Sequence, residues 1–225
     1  MNDQEMMNKP MDKQNISPAV IRRLPRYYRY LCELIARGQT RISSGELARM
    51  MHVTASQIRQ DLNCFGGFGQ QGYGYNVNYL YAKICELLGV GCGFRAVVVG
   101  AGNLGRALVG SPMFEKRGVD VVAMFDVDEA IIGKNIGGVS VYSMNELEKL
   151  CEEFETDIAI LTLPKEHTAE VVERLINTNI KGIWNFTGKE LDETGKSIVV
   201  VNEHIGDSLM TLCYEIARNE EEKNK

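Results

Sequence analysis

Residues 95–105 (RAVVVGAGNLG) decide the fold of most of this 225-residue chain. After Arg95, four apolar residues, three of them β-branched valines, form a run of the kind that builds a buried strand. The next six form a G-x-G-x-x-G motif, and a stretch of helical composition (RALV) follows it. A strand, this motif and a helix in that order are typical of a dinucleotide-binding fold.

Each glycine of the motif has its own task. Gly100 permits a tight turn, Gly102 lets a pyrophosphate approach the backbone, and Gly105 lets the helix and the strand pack closely. The free N–H groups at the start of the helix then face the phosphates. We therefore expect the whole loop to bind a nucleotide. Its residues are Gly100, Ala101, Gly102, Asn103, Leu104 and Gly105.

An acidic residue follows the second predicted strand. Residues 119–125 (VDVVAMF) lead into Asp126, which lies 21 residues beyond Gly105. A carboxylate at this place accepts a hydrogen bond from an adenosine ribose hydroxyl. Neither Phe125 nor Val127 is an arginine that could neutralise a 2′-phosphate, so NAD(H) is favoured over NADP(H). The alternative is a Rossmann-like fold that holds another nucleotide, such as coenzyme A or S-adenosylmethionine.

Strands and helices continue to alternate along the chain. Strands are predicted at residues 157–163, 181–186 and 197–202, with a helix at residues 168–177. This alternation predicts an α/β fold with a parallel sheet, in which ligands bind beyond the carboxyl ends of the strands. We expect five residues at those ends to lie near the nicotinamide: Thr162, Leu163, Pro164, Asn185 and Phe186.

The first third of the chain predicts a helix-turn-helix. Ser43 with Glu46 forms a capping box, and Thr54 with Gln57 repeats the pattern. Two short helices, at about residues 44–51 and 55–64, are thus joined by three residues, which is helix-turn-helix spacing. The outward face of the second helix carries side chains that can bond bases or phosphates, although such a face is also common on a merely solvated helix. These residues are Ser56, Gln57, Arg59, Gln60 and Asn63.

A glycine-rich hairpin follows the second helix. Residues 66–74 hold five glycines interleaved with aromatic residues, which indicates a flexible β-hairpin tip. After a helix-turn-helix such a hairpin is the wing of a winged-helix domain, and the order and spacing of the elements favour this over the alternative, an ordinary glycine-rich surface loop. We expect Gln71, Gly72 and Tyr73 to contact DNA.

Charge and composition agree with a DNA partner for the first part. Residues 1–90 carry 11 Lys and Arg against 7 Asp and Glu, whereas residues 91–225 carry 14 against 23. A basic segment on an acidic protein suggests a polyanion partner, but small helical domains often carry a few extra arginines, so charge alone does not favour one explanation over the other. No apolar run approaches the roughly 18 residues that span a bilayer, and residues 1–15 do not resemble a secretory signal. The cytoplasm is therefore the expected location.

None of the six cysteines forms a C-x-x-C or pairs with a histidine, so no metal is expected.

The sequence does not favour an enzyme. About 130 residues follow the glycine-rich hinge at residues 89–93, enough for the nucleotide fold but not for a substrate domain. No nucleophile or metal-protease motif appears, and His167 is expected to be a surface or capping histidine rather than a catalytic one. We expect a protein that binds a redox nucleotide and DNA without chemistry on either. The alternatives are a small NAD-dependent oxidoreductase, a DNA-binding regulator that senses an acyl-CoA or another nucleotide, and a metabolic-complex subunit without a DNA role.

Five stretches carry a family resemblance. In this order, SQIRQDLNCFGGFGQQGYGY, VVVGAGNLGRAL, MFDVD, LTLP and GIWNF resemble the Rex family of NADH-sensing transcriptional repressors, over about residues 16–217. The resemblance implies a homodimer with an exchanged C-terminal helix and an inverted-repeat operator. It also implies release from DNA when NADH binds, whereas NAD⁺ leaves DNA binding intact.

The expected domain organisation has four parts. We expect a disordered tail at residues 1–15, a winged-helix domain at 16–88, a Rossmann domain at 89–204, and a dimerisation helix with its tail at 205–225. The apolar residues of the last helix fit packing on its own domain or on a second subunit.

The chain departs from the family pattern at four positions. Gln60 and Gln71 stand where the family usually has Lys and Arg. Fewer phosphate-pairing charges imply a shallower salt dependence of DNA binding. Some members link the nucleotide to the DNA-binding domain through a Tyr, an Asp and an Arg. The Tyr and Asp correspond to Ser111 and His204 here, and the Arg corresponds to Arg29.

Overall fold

The computed structural model describes residues 16–64, 69–70, 74–192 and 198–223, with backbone alone at residues 69–70. The chain divides into two compact units, unit 1 ending at Val90 and unit 2 beginning at Gly91. The expected tail at residues 1–15 lies outside the described residues. Within those residues, no helix combines the length and the apolar character needed to cross a bilayer.

Unit 1 is a winged-helix arrangement of short helices and a small antiparallel sheet, as predicted. The described strands pair in the order β1–β3–β2. The elements are α1 (Pro18–Ile21), α2 (Leu24–Ala36), β1 (Arg41–Ile42), α3 (Ser44–Met51), α4 (Ala55–Asn63), β2 (Gly69–Gln70), β3 (Gly74–Asn76) and α5 (Val77–Leu88).

Capping side chains fix where α3 and α4 begin. The Ser43 hydroxyl accepts from the Glu46 backbone N–H at 3.1 Å, and the Glu46 carboxylate accepts from the Ser43 N–H at 2.9 Å, so the predicted capping box is confirmed. The Thr54 hydroxyl accepts from the Gln57 N–H at 3.1 Å. The Gln57 side chain does not complete a second box, because its amide donates to Asp61 instead.

Asp61 is a carboxylate inside the apolar core of unit 1, with only 1% of its surface exposed. Arg23 donates to its two oxygens from Nε and Nη2, both at 2.7 Å, and the Tyr27 hydroxyl donates to Oδ2 at 2.9 Å. Burial raises the pKa of this carboxyl. Bonds from Arg23, Gln57 and Tyr27 outweigh burial and hold the pKa below its usual value. The resulting stabilisation is present above about pH 4, the ordinary range for Asp, and is lost as the pH falls through the lowered pKa.

Unit 2 is an α/β fold, which confirms the predicted class. Its strands lie in the order β10–β9–β8–β4–β5–β7–β6, all parallel except β6, which pairs antiparallel with β7. The elements are β4 (Phe94–Val99), α6 (Asn103–Val109), β5 (Val119–Asp126), β6 (Asn135–Ile136), β7 (Val139–Ser143), α7 (Leu147–Glu153), β8 (Ile158–Leu161), α8 (Thr168–Ile176), β9 (Gly182–Asn185), β10 (Val199–Asn202) and α9 (Ile205–Lys223).

The central strand β4 is buried on both faces. Val97 and Val99 belong to the apolar cluster on one side of the sheet, and Ala96 and Val98 to the cluster on the other. Side chains alternate between the faces of a strand, so a strand covered on both sides must be apolar throughout. This explains why the run before the glycine motif contains no polar residue between Ala96 and Val99.

Helix α9 does not pack into the core of its own chain. None of its residues is buried. Six of its large apolar side chains are exposed: Ile205, Leu209, Met210, Leu212, Tyr214 and Ile216. Of the two expectations for this helix, packing on its own domain is therefore not what the structure shows.

The buried ion pair of unit 1 yields a stability prediction. Asp61→Ala should lower the free energy of unfolding by on the order of 3 kcal/mol, because the Arg23 guanidinium and the Tyr27 hydroxyl lose their acceptor. Chemical denaturation followed by circular dichroism measures the change. The control is Glu33→Gln, which breaks an exposed pair with Arg37 at 3.7 Å and should cost less than about 1 kcal/mol. Equal losses in the two variants would contradict the prediction.

Candidate nucleotide and DNA sites

The glycine loop lies where the strand order of the sheet reverses. At the end of β4, Val99 is paired with Phe125 of β5 on one side and with Leu161 of β8 on the other. After β4 the chain adds β5 on one side of that strand, and it later adds β8 on the other side of the same strand. In open α/β sheets the crevice at such a reversal is the place where nucleotides bind.

Two of the three glycines are required by the packing of the protein itself. Gly100 has a φ of 102°, and a Cβ there would lie 2.7 Å from the carbonyl oxygen of Thr162. A Cβ on Gly105 would collide with the carbonyl oxygen of Gly100. Thr162 also fastens the loop, because its hydroxyl donates to that same oxygen at 2.7 Å and its N–H donates to Val99 at 2.9 Å.

Gly102 is different from the other two. It has an ordinary φ of −73° and is exposed. No atom lies within 4 Å of the position of a Cβ there. Neither backbone conformation nor the described packing requires a glycine at this position. The open space in front of the backbone fits the close approach of a pyrophosphate, as the sequence predicts.

Asp126 joins the end of β5 to the loop. Its Oδ2 accepts from the Ala101 N–H at 2.6 Å, and its Oδ1 accepts from the N–H groups of Val127 and Asp128 at 2.8 and 3.0 Å. The side chain remains partly exposed. A carboxylate oxygen can accept two hydrogen bonds, so Oδ2 keeps the capacity for a ribose hydroxyl. The residue therefore stabilises the loop and fits the predicted ribose contact.

The predicted nicotinamide end shows two kinds of residue. Thr162, Leu163, Pro164 and Phe186 keep accessible surface after the ends of β8 and β9. Asn185 is 1% exposed, and a contact from its side chain to a ligand stays a prediction.

The Asn185 side chain bonds within the protein. Its amide nitrogen donates to the Lys189 carbonyl and the Asn202 side chain at 2.6 and 2.7 Å, and its oxygen accepts from the Thr187 hydroxyl at 2.7 Å. Asn185 thus shapes the turn after β9 and ties it to β10.

Aromatic side chains pack together near the carboxyl end of β9. The rings of Trp184 and Phe186 lie 4.6 Å apart, and Phe114 meets Trp184 edge-on at 6.4 Å. The sequence motifs do not single out Trp184 or Phe114. Trp184 lies in strand β9 and Phe114 in the connection between α6 and β5, and neither aromatic residue carries a sequence signal that would distinguish a supporting role from ordinary core packing.

Helix α4 gathers the predicted DNA-contacting residues of unit 1 on one side. Ser56, Arg59, Gln60 and Asn63 are exposed. Arg59 is steadied by the Ser44 hydroxyl of α3, to which it donates at 3.3 Å. Gln57 is half-buried at the border of this face. Gln71, Gly72 and Tyr73, predicted for the wing, lie outside the described residues.

The three residues that the resemblance relates to an interdomain link have distinct surroundings. The Arg29 guanidinium lies 5.4 Å from the ring centre of Tyr30. Ser111 lines a cavity of about 430 Å³ to which the glycine loop does not contribute. His204 bonds Glu190 at 2.7 Å, and this bond raises the pKa of the imidazole. Nowhere among the described residues do three or more potential ligands gather that could hold a metal ion.

Family models match both units. Residues 15–63 match the model described as "Putative DNA-binding protein N-terminus", and residues 94–188 match the "CoA binding domain" model.

Curated relatives match nearly the whole chain. A redox-sensing transcriptional repressor Rex from Caldicellulosiruptor saccharolyticus is 46% identical over 91% of this chain and 93% of its own length. The protein of the same name from Clostridioides difficile is 47% identical over 91% of this chain and 97% of its own length.

Solved structures agree with these relatives. The Rex-family repressor RSP has been crystallised with NAD⁺ and operator DNA; that chain is 44% identical, with a TM-score of 0.85 over 93% of this chain and 96% of its own. RSP with NADH has a TM-score of 0.85 at 41% identity, over 93% of this chain and 98% of its own. With identity above 40% over more than nine tenths of its length, the chain belongs to the Rex family of redox-sensing transcriptional repressors.

Proposed function

We propose that this chain is a homodimeric repressor that binds an inverted-repeat operator and leaves it when NADH binds. One observation carries the proposal: a single chain holds a glycine loop open at Gly102 and a helix-turn-helix with an exposed polar face on α4. The relatives support it, since RSP has been crystallised both with NADH and with NAD⁺ on operator DNA. Residues 71–73 would add the wing contact.

The residues around the loop favour NAD(H) over the other nucleotides. The backbone at Gly102 would face the pyrophosphate, and Asp126 would accept from the adenosine ribose. Both NADP(H) and coenzyme A carry a phosphate on that ribose, which would face the Asp126 carboxylate at close range. Repulsion between these like charges supports NAD(H) although the matching domain model is named for CoA binding.

The difference between the two redox states lies at the nicotinamide, which carries a positive charge in NAD⁺ and none in NADH. A pocket edge formed by Leu163, Pro164 and Phe186 is apolar and favours the uncharged ring. If the NADH-bound form holds the two α4 helices away from the operator spacing, NADH and DNA weaken each other's binding by the same factor. Such coupling is typically worth about 1–3 kcal/mol.

A second copy of the chain would cover α9. Its six large apolar side chains are each more than half exposed in their own chain, and burying apolar surface is the main driving force of association. We propose the division expected from the sequence, with a tail at residues 1–15, a DNA-binding domain at 16–88, a nucleotide-binding domain at 89–204 and a dimerisation segment at 205–225.

The relatives are named as repressors and not as enzymes. We propose that this chain likewise responds to the redox state of its bound dinucleotide without catalysing a reaction on it. We also propose that the protein acts in the cytoplasm.

The central experiment titrates an inverted-repeat duplex with the full-length protein, with NADH or NAD⁺ present. NADH should weaken DNA binding by roughly 5–150-fold, since the coupling energy is about 1–3 kcal/mol. NAD⁺ should leave DNA binding almost unchanged, and Arg59→Ala should weaken it under all conditions. Unchanged DNA affinity at saturating NADH would refute the switch. Oxidation of NADH with a small carbonyl compound would support the oxidoreductase alternative.

Gly102 tests the phosphate contact apart from folding. Gly102→Ala should leave the unfolding free energy within about 0.5 kcal/mol, because the Cβ meets open space. It should weaken NADH binding about tenfold or more in calorimetry, because the methyl group occupies the approach of the pyrophosphate. The matched control is Gly110→Ala at the other end of α6, where the Cβ makes an ordinary 3.5 Å contact. Wild-type NADH affinity in Gly102→Ala would place the nucleotide elsewhere.

Asp126 tests the ribose contact. Asp126→Ala should lower NADH affinity about tenfold and reduce the preference for NADH over NADPH, because the ribose loses its acceptor and the 2′-phosphate loses its repelling partner. Competition binding with both dinucleotides measures the two effects. An unchanged ratio between NADH and NADPH would show that Asp126 does not face the ribose.

A further inference from the structure

Gln57 makes a hydrogen bond that the capping pattern does not predict. Its Nε2 donates to Oδ1 of Asp61 at 2.8 Å, one turn further along α4. Gln57 is the third residue of the helix and keeps part of its surface exposed, whereas Asp61 is buried. Residues near the start of the second helix of a helix-turn-helix are the ones that contact base edges.

The partners of Asp61 fix the orientation of the Gln57 amide. Both carboxylate oxygens accept from Arg23, and Oδ2 also accepts from Tyr27. Asp61 therefore cannot turn away from Gln57 without breaking an ion pair. If the amide rotated by half a turn, Oε1 would face a carboxylate oxygen and repel it. One N–H of Nε2 is thus committed to Asp61, while Oε1 and the second N–H of Nε2 form an ordered donor–acceptor edge.

We propose that Asp61 is a positioning residue for sequence reading, which holds Gln57 in the orientation that recognises an adenine. The inference rests on the proposed function. A glutamine reads adenine in the major groove through two bonds, one accepted by its oxygen from the adenine N6 amino group and one donated by its nitrogen to N7. The groups of Gln57 that Asp61 does not engage, Oε1 and the second N–H of Nε2, are the acceptor and the donor that this recognition requires. The orientation is fixed when the protein folds, so binding DNA does not have to fix it.

The test is selection from a duplex library in which an inverted repeat is randomised, with the full-length protein as bait. The wild type should enrich adenine at one position of each half-site. Gln57→Ala should reduce that preference by roughly 5–150-fold, the range of a lost bidentate base contact. Asp61→Asn should reduce it at the same position, because an Asn side chain accepts either orientation of the Gln57 amide.

Tyr27→Phe is the matched control. It removes one hydrogen bond from the same carboxylate but on Oδ2, and so leaves the Gln57 contact in place. This variant should be less stable, and its selected sequence should not change. If Asp61 acted only by bracing α4 against α2, Tyr27→Phe and Asp61→Asn would change the selected sequence alike, which would overturn the proposal. An unaltered adenine preference in folded Asp61→Asn would overturn it too.

A measurement on the wild type decides the matter if Asp61→Asn does not fold. Nuclear magnetic resonance of the side-chain amides should show Gln57 more ordered than Gln60, the exposed glutamine of the same helix, with one Gln57 amide proton shifted downfield by the carboxylate. Equal mobility of the two amides would overturn the inference. A library that yields no enriched sequence contradicts the proposed function itself. An enriched sequence that Gln57→Ala leaves unchanged contradicts only the role of Gln57 and Asp61.

Discussion

The contact between Thr162 and the glycine loop holds the functional end of the sheet together. At the point where the strand order reverses, the Thr162 hydroxyl bonds the carbonyl of Gly100, while the backbone after β8 approaches too closely for a side chain at that glycine. Gly105 lets α6 come down on the same carbonyl. This close packing sets the loop, and with it the direction in which Gly102 faces solvent and Asp126 reaches Ala101. The shape of the candidate nucleotide site follows from these short distances.

Unit 1 depends on an interaction of the opposite kind. Its core contains a charged group, Asp61, whose burial is costly unless every oxygen is bonded. Arg23 and Tyr27 supply the bonds from α2 and the turn before it, so a polar contact aligns α4 where apolar packing alone would allow it to slide or rotate. The buried Asp61 ion pair thus fixes the orientation of α4, the helix that carries Arg59.

Sequence patterns predict the local features well, because those features depend on neighbours along the chain. The glycine motif with its strand and helix, the Ser43 capping box and the alternation of strands and helices all belong to this group. The short strands β6 and β7 and the helix α7 are absent from the predictions, since their apolar runs are too brief to stand out.

Side-chain networks are the part that patterns could not supply. Asp61 appears in the sequence as one more polar residue in a polar helix, and Asn185 as a residue at a strand end. Each also has a partner far away in sequence: Arg23 is 38 residues from Asp61, and Asn202 is 17 residues from Asn185. The capping pattern at Thr54 also leads to the wrong partner for the Gln57 side chain, because a buried carboxylate one turn away competes for it.

Because the apolar face of α9 is exposed, the proposed dimerisation depends on the concentration of the protein. Packing of this face against a second copy of the chain, as proposed above, would obey mass action. At low protein concentration a larger fraction of the chains would be monomeric than at high concentration. These monomers would lack the stabilisation that the dimer contact provides. Occupancy of the proposed inverted-repeat operator would then rise more steeply than in proportion to the amount of protein, so the abundance of the protein would set the threshold of the proposed response to NADH.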